Sequence, residues 1–354
     1  MTAAVLVYRP TEEGIEASVA WVDVLAGRIL RLVPVPVSPN IGLFSRMARA
    51  LISYDEYSAE PGSSSWLDVY RLPEWCLQAH LRMDCHARFN ISPQWSTFIP
   101  SPDGRLIYVY KTRTLGHHLA EDFICALDLR EMNFVPWTFR IPKCVAAWSA
   151  SGGRAHAQML LVADGIEQGR LPVDDLEQRV AFWLGPEEGM GPAVSIGARP
   201  RVHGDLGHAR AIVFAPQRPI SAVVCTDGRI HVIDPVGFRY LDRQRTDFAG
   251  GHAMRNFAAH IEPRGRFLYV GTAEAEARCQ GLIERVVVHD LDRRRQHDEW
   301  ILREPFTHMG LTPDGKYMYG AVTGRNGVRL LEAESGRVVA GMELDGFPQY
   351  VIAS

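Results

Sequence analysis

SPDGRLIYVY, residues 101–110, joins a tight turn to a short apolar run, and the chain repeats that pattern along its length. Pro102, Asp103 and Gly104 are turn residues, each for its own backbone reason. The run Leu106-Ile107-Tyr108-Val109-Tyr110 is rich in residues that favour strands. TPDGKYMYG begins at Thr312, EPRGRFLYV at Glu262, APQRPISAVV at Ala215 and SGGRAHAQMLLV at Ser151. A degenerate copy, SPNIGLFS, begins at Ser38. A single Pro-Asp-Gly is a common turn. Six turn-then-strand copies in one chain are an internal repeat.

The clearest unit reads as four strands: a (Trp95 to Ser101), b (Leu106 to Lys111), c (Phe123 to Leu129) and d (Asn133 to Ile141). Helical periodicity is absent, and the apolar runs are short and bounded by turn residues. The c–d hairpin recurs at 19–35, 66–83, 286–302 and 328–344. Four antiparallel strands per repeat of roughly 45–50 residues predict an all-β chain built as a β-propeller. Six a–b starts give six blades. The chain ends supply a seventh, with FPQYVIAS (347–354) as strand a and AAVLVYRP (3–10) as strand b. The expectation is a seven-bladed ring closed by pairing the C-terminal strand with the N-terminal strands. It forms one domain over 1–354, the closing blade drawn from about residues 1–35 plus 345–354. Asp103 and Asp314 are read as turn carboxylates, part of the architecture.

The 354 residues are 47 % apolar and 22 % charged, which is ordinary for a globular chain. The net charge of −3 and the lack of a basic stripe exclude a nucleic-acid surface. MTAAVLVYRPTEEG carries no basic segment followed by a long apolar one, and no membrane span is found. Cysteines at 76, 85, 125, 144, 225 and 279 are scattered without a C-x-x-C pair. Both features predict a reduced, cytoplasmic setting.

Several segments are spelled more specifically than turn grammar requires. They are VAWVDVLAGRILRLVPV (19–35), FSRMARA (44–50), RFNISPQWSTFIPSPDGRLIYVYK (88–111), RIPKC (140–144), LLEAESGRVV (330–339) and FPQYV (347–351). In collinear order over nearly the whole chain, they resemble the heavy subunit of methylamine and aromatic amine dehydrogenases. That resemblance implies a seven-bladed propeller without a cofactor of its own. A small partner subunit holds tryptophan tryptophylquinone, made from two of the partner's tryptophans. The quinone takes electrons from a primary amine and passes them to a copper protein or a cytochrome. The heavy chain docks the partners and helps wall the substrate channel; alone it is expected to be inactive. The chain departs from the family at three places. Family members are periplasmic and carry a signal peptide and an N-terminal arm. The family disulfide starts at the position of Cys144, and no cysteine occurs here between 145 and 224. The family channel is gated by a Phe in the first b–c loop, and Pro10–Glu16 contains no aromatic. These departures define an alternative: a cytoplasmic, non-catalytic propeller scaffold that binds a peptide or small protein in a biosynthetic pathway.

No catalytic, cofactor-binding or metal-binding residue is assigned. His117-His118 lacks a third ligand and reads as an exposed loop, and Cys85-His86 lacks an orienting acid and is not assigned as a nucleophile pair. Glu187-Glu188, Arg293-Arg294-Arg295 and the pair Glu274 and Glu276 read as solvated turns. The residues expected to face a partner or the central channel are Arg88, Phe89, Trp95 and His260. Aromatic anchors beside an arginine suit an interface, and His260 sits in a later strand a. The expected partner is the small quinone-bearing subunit, or a small protein or peptide, with an electron-acceptor protein beyond it.

Overall fold

The computed structural model describes the chain except for residues 36–39, 46–49, 56–64, 72–75, 84–85, 88–97, 101–105, 117–118, 142–143, 152–156, 164–179, 186–188, 191–208, 216, 226–227, 235–238, 247–256, 273–281, 323 and 354. The described residues form strands and turns, with no helix among them. The first sheet has the order β28-β1-β2-β3, from β1 (Thr2–Thr11), β2 (Gly14–Asp23), β3 (Arg28–Val35) and β28 (Phe347–Ala353). The next is β4 (Asn40–Ser45), β5 (Ala50–Asp55), β6 (Ser65–Arg71) and β7 (Cys76–Met83). A third joins β10 (Leu106–Gly116), β11 (Leu119–Asp128) and β12 (Asn133–Ile141), with β8 (His86–Ala87) and β9 (Phe98–Pro100) both on the free side of β10. Two more four-stranded sheets hold β13 (Cys144–Ser151), β14 (Ala157–Ala163), β15 (Val180–Gly185) and β16 (Gly189–Met190), then β17 (Ala209–Phe214), β18 (Ser221–Cys225), β19 (Arg229–Asp234) and β20 (Arg239–Arg245).

The last sheet has seven strands: β21 (Phe257–Ile261), β22 (Phe267–Thr272), β23 (Ile283–Asp290), β24 (Arg295–Leu311), β25 (Tyr317–Val322), β26 (Gly327–Glu332) and β27 (Val338–Glu343). β24 serves two neighbours in turn. Its first half, Arg295 to Ile301, pairs with β23, and its second half, from Phe306 to Leu311, pairs with β25. The strand therefore ends one group of four and begins the next.

The repeat seen in the sequence is a repeat of hydrogen bonds. In the a–b turns, Ala215 N donates to Ile220 O at 2.9 Å, Glu262 N to Phe267 O at 2.9 Å and Thr312 N to Tyr317 O at 2.8 Å. Gly265 and Gly315 both stand at φ 72°, which the absence of a Cβ allows at little cost. Asp314 is the turn carboxylate expected: its Oδ1 accepts from Thr312 Oγ1 at 2.6 Å and from Lys316 N at 3.1 Å. Asp103 lies outside the described residues.

The c–d turns share a second device. Asp23, Asp128 and Asp290 end strand c and accept backbone N–H bonds from the turn that follows. Four residues further on the chain enters the left-handed region, at Gly27 (φ 61°), Met132 (φ 50°) and Arg294 (φ 56°). Gly336 (φ 67°) holds the same place after Glu332. A type I turn followed by a left-handed residue makes a bulged hairpin. The register shifts accordingly, at Trp21/Val22, Cys125/Leu127, Val288/His289 and Leu330/Leu331. The first b–c connection is shorter than the Pro10–Glu16 loop read from the sequence. β1 and β2 pair as far as Thr11 and Gly14, leaving a two-residue turn at Glu12-Glu13.

Apolar side chains fill the spaces between successive groups of four strands. Val5, Val7, Ala20 and Val22 of the first sheet pack with Tyr319, Ala321, Leu330 and Leu344. Ala222, Val224 and Val232 pack with Ile261, Leu268 and Val270. β22 shows why its sequence does not alternate cleanly: Leu268 and Val270 face one cluster and Tyr269 the other, so both faces are buried. Burying each such aliphatic side chain contributes about 1.5–3 kcal/mol. The first strands of the groups lie side by side in the order β4, β9, β13, β17, β21, second half of β24, β28. β28 is hydrogen-bonded to β1 from Ala3↔Ala353 to Tyr8↔Phe347, the pairing of chain ends that the sequence predicts.

Candidate functional site

Two regions offer chemistry or a surface. The first is the inner wall where β21, the second half of β24 and β28 run together. His260 is on β21, between Ala259, which packs toward the preceding group, and Ile261. Its Nε2 lies 2.8 Å from Met309 O on β24, so this nitrogen carries the proton and donates across the junction. Burial lowers its pKa to about 4, against the raising effect of that hydrogen bond. His308 is lowered to about 3, by burial and by the field of His260. At neutral pH the two imidazoles are therefore uncharged neighbours. Thr307, between them and β28, offers its hydroxyl to Ala321 O at 3.3 Å and to Pro348 O at 3.4 Å. His260 thus ties β21 to β24, and Thr307 ties β24 to β25 and β28.

A third histidine is buried deeper. His289 on β23 is fully buried; its Nε2 meets Gln244 Oε1 at 2.8 Å, and burial lowers its pKa to about 4. Gln244 in turn donates to Leu291 O at 2.8 Å, tying β20 to the end of β23. This network stitches neighbouring groups together. Among the described residues no group of three or more His, Cys, Asp or Glu could hold a metal.

The second region is on the outside. β3 ends its sheet and, among the described residues, pairs only with β2. Its Ile29, Leu30 and Leu32 are 47 %, 49 % and 57 % exposed. Beside it an open cleft of about 770 Å³ runs between β2–β3 and the Leu344-Asp345 turn. Ile29, Leu32 and Pro34 form one side of it, Val7 and Ala20 its floor, and Arg9 and Glu16 its mouth. Arg9 Nη1 is 3.3 Å from Asp345 Oδ2 across that mouth.

Of the residues expected to face a partner or channel, His260 is on an inner strand with one nitrogen committed to Met309 O. Arg88, Phe89 and Trp95 lie outside the described residues, as do His117, His118 and Cys85. The sequence reading passed over His308 and the β3 edge. His308 is separated from His260 by a whole repeat, and only the packing of inner strands brings them together. The β3 edge could have been found, because RILRLVPV follows a turn and lacks the polar alternation of an outer strand.

No family model matches the chain, and no curated protein matches it. Solved structures do. The periplasmic gluconolactonase PpgL of Pseudomonas aeruginosa is 14 % identical, with 99 % of this chain and 98 % of that one covered at a TM-score of 0.58. Apo AztD from Citrobacter koseri is 10 % identical, with 99 % and 97 % covered at 0.56. The β-propeller domain of Swd1 (Cps50) of Myceliophteria thermophila is 14 % identical, with 87 % of each chain covered at 0.52. At these identities the likeness is one of fold. The chain is an all-β protein with the β-propeller fold.

Proposed function

We propose that this chain is a seven-bladed propeller, closed through β28 and β1, acting as the heavy-chain-like subunit of a quinone-dependent amine dehydrogenase. It docks a small catalytic partner and walls the substrate channel. The observation that carries this reading is the collinear resemblance of 19–35, 44–50, 88–111, 140–144, 330–339 and 347–351 to that family. It falls on a chain whose described strands divide into seven groups once β24 is counted in two, six of four strands and one of five. Tryptophan tryptophylquinone belongs to the partner in this reading and supplies the electron-accepting carbonyl chemistry when bound. This chain's own part is positional: shape, exclusion of water and neutral hydrogen-bonding groups such as the His260–His308 pair.

A second reading is favoured by the outer surface. The exposed aliphatic edge of β3 beside an open cleft suits a scaffold that binds a peptide or small protein and performs no redox step. The experiment is co-purification of the tagged full chain from its native host, with intact mass and a visible spectrum of whatever is retained. A small partner lighter than its sequence by the hydrogens lost in tryptophan crosslinking, with quinone absorbance and amine-dependent dye reduction, supports the first reading. A colourless partner without crosslinked tryptophan supports the second. A chain that retains no small protein contradicts both.

A further inference from the structure

We infer that the outer edge of β3 is a docking strand for an extended partner segment that alternates apolar and acidic residues. The inference rests on the partner-docking reading above and names the chemistry of what is docked.

An unpaired edge strand presents a row of backbone N–H and C=O groups, and an extended segment can add to it as one more strand. Among the described residues β3 offers such an edge from Arg28 to Val33. Pro34 has no N–H and ends the usable ladder. The register with β2 assigns the two faces. Leu32 pairs with Ala20 and Pro34 with Ser18, and all four line the cleft, with Ile29 beside them. Arg31 pairs with Trp21 and stands on the opposite face. A strand added alongside would therefore place alternate residues over the aliphatic cleft wall and the intervening ones beside Arg31.

Charge decides what those residues are. β3 carries Arg28 and Arg31 and no carboxylate. Arg28 lies in the field of Asp23. Asp23 also receives the N-terminal ammonium at 3.5 Å and the Ala26 N–H at 3.3 Å. Arg31 is exposed and has no ion pair among the described residues. Opposite charges across an antiparallel pair are favourable and like charges are not. A carboxylate next to Arg31, with valine- or leucine-sized side chains over Ile29 and Leu32, satisfies both faces. A second copy of β3 would bring four arginines and no carboxylate onto one ribbon. The same arginines and Pro34 thus let the chain keep an aliphatic edge without self-pairing while admitting an acidic strand.

The probes are end-capped octapeptides: alternating valine and glutamate, alternating valine and lysine, and valine and glutamate in two blocks. Binding to the full chain is read by fluorescence anisotropy at low and high salt. The alternating glutamate peptide is expected to bind about tenfold more tightly than the other two, and less tightly in high salt. Arg31→Glu should invert the preference toward lysine, and Leu32→Glu should abolish binding. Both positions are exposed, and unchanged thermal unfolding shows that the variants fold. No binding, or binding indifferent to Arg31→Glu, overturns the proposal. So does a concentration-dependent dimer in sedimentation that Leu32→Glu abolishes, which would make a second copy the occupant. A partner still captured from the host by Arg31→Glu and Leu32→Glu variants would sink this inference and leave the proposed function standing.

Discussion

Arg329 on β26 grips Glu304 on β24 with both arms of its guanidinium, Nε to Oε2 at 2.6 Å and Nη2 to Oε1 at 3.0 Å. Its remaining nitrogen reaches Val328 O and Met342 O. Gly327 and Gly341 leave the space: a Cβ at either would meet Arg329 atoms within 3 Å. Glu304 lies where β24 leaves β23 and takes up β25. The pair therefore fixes the crossing between two groups of strands. The Arg329 guanidinium holds the Glu304 carboxyl below its ordinary pKa.

Glu304→Ala leaves Arg329, only 8 % exposed, without its carboxylate. Removing one partner of a buried pair costs on the order of 3 kcal/mol. Arg325 also reaches Glu304, at 3.3 Å, but is 69 % exposed. Arg325→Ala should therefore cost less than about 1 kcal/mol. Urea midpoints at a common slope separate the two, and equal costs would mean the crossing is not held by Arg329.

Arg294 occupies the left-handed position that Gly27 and Gly336 fill in sister turns. A side chain there is strained by about 1–2 kcal/mol. Its ion pair with Asp242 is largely exposed and offsets little. Arg294→Gly is expected to raise the thermal midpoint, and Met132→Gly to raise it less, because the Met132 side chain also packs against the Leu67-Ile107-Leu127 cluster. A fall in both would show that these turns are not equivalent.

Gly310 on β24 faces Tyr319 on β25, whose ring covers the position a Cβ would take. Gly310→Ala forces the ring off its seat and should cost about 1–3 kcal/mol. In a double-mutant cycle, Tyr319→Leu should recover most of that cost. Additive effects would contradict the packing.

His260, His289 and His308 all have folded-state pKa values below the ordinary 6.5. The unfolded chain therefore takes up protons first as pH falls. The stability they hold is complete above 6.5 and drains between 6.5 and about 4 for His260 and His289, and down to about 3 for His308. Each contributes up to about 1.4 kcal/mol per pH unit inside its window. Urea midpoints from pH 7.5 to 5 should fall, and His260→Gln should flatten the slope by one proton. An unchanged slope would show that His260 titrates normally in the fold.

The a–b turns were legible because Pro-Asp-Gly and Pro-Arg-Gly leave few backbone choices, and Thr312–Gly315 and Glu262–Gly265 close as read. The pairing of β28 with β1 was legible because FPQYVIAS ends where a strand a ends and AAVLVYRP opens as a strand b. The second turn was legible at Arg293-Arg294-Arg295, read as a solvated turn, but the device that shapes it was not. Met132 and Arg294 are not turn residues by type, and their position is set by an aspartate four residues earlier. The fusion of two strands into β24 was hidden as well, since REPFT contains a proline and reads as a break. Of the site, His260 was found as an inner-strand residue. Its neighbour His308 was not, because their proximity comes from the packing of repeats and not from spacing along the chain.

The most direct test of the central claim is the mass and visible spectrum of the small protein that co-purifies with the full chain from its native host. The account predicts a small subunit, lighter than its sequence through crosslinked tryptophans, absorbing as a quinone and bleached by a primary amine. A chain that elutes alone, or that turns over a substrate with no partner present, would contradict it.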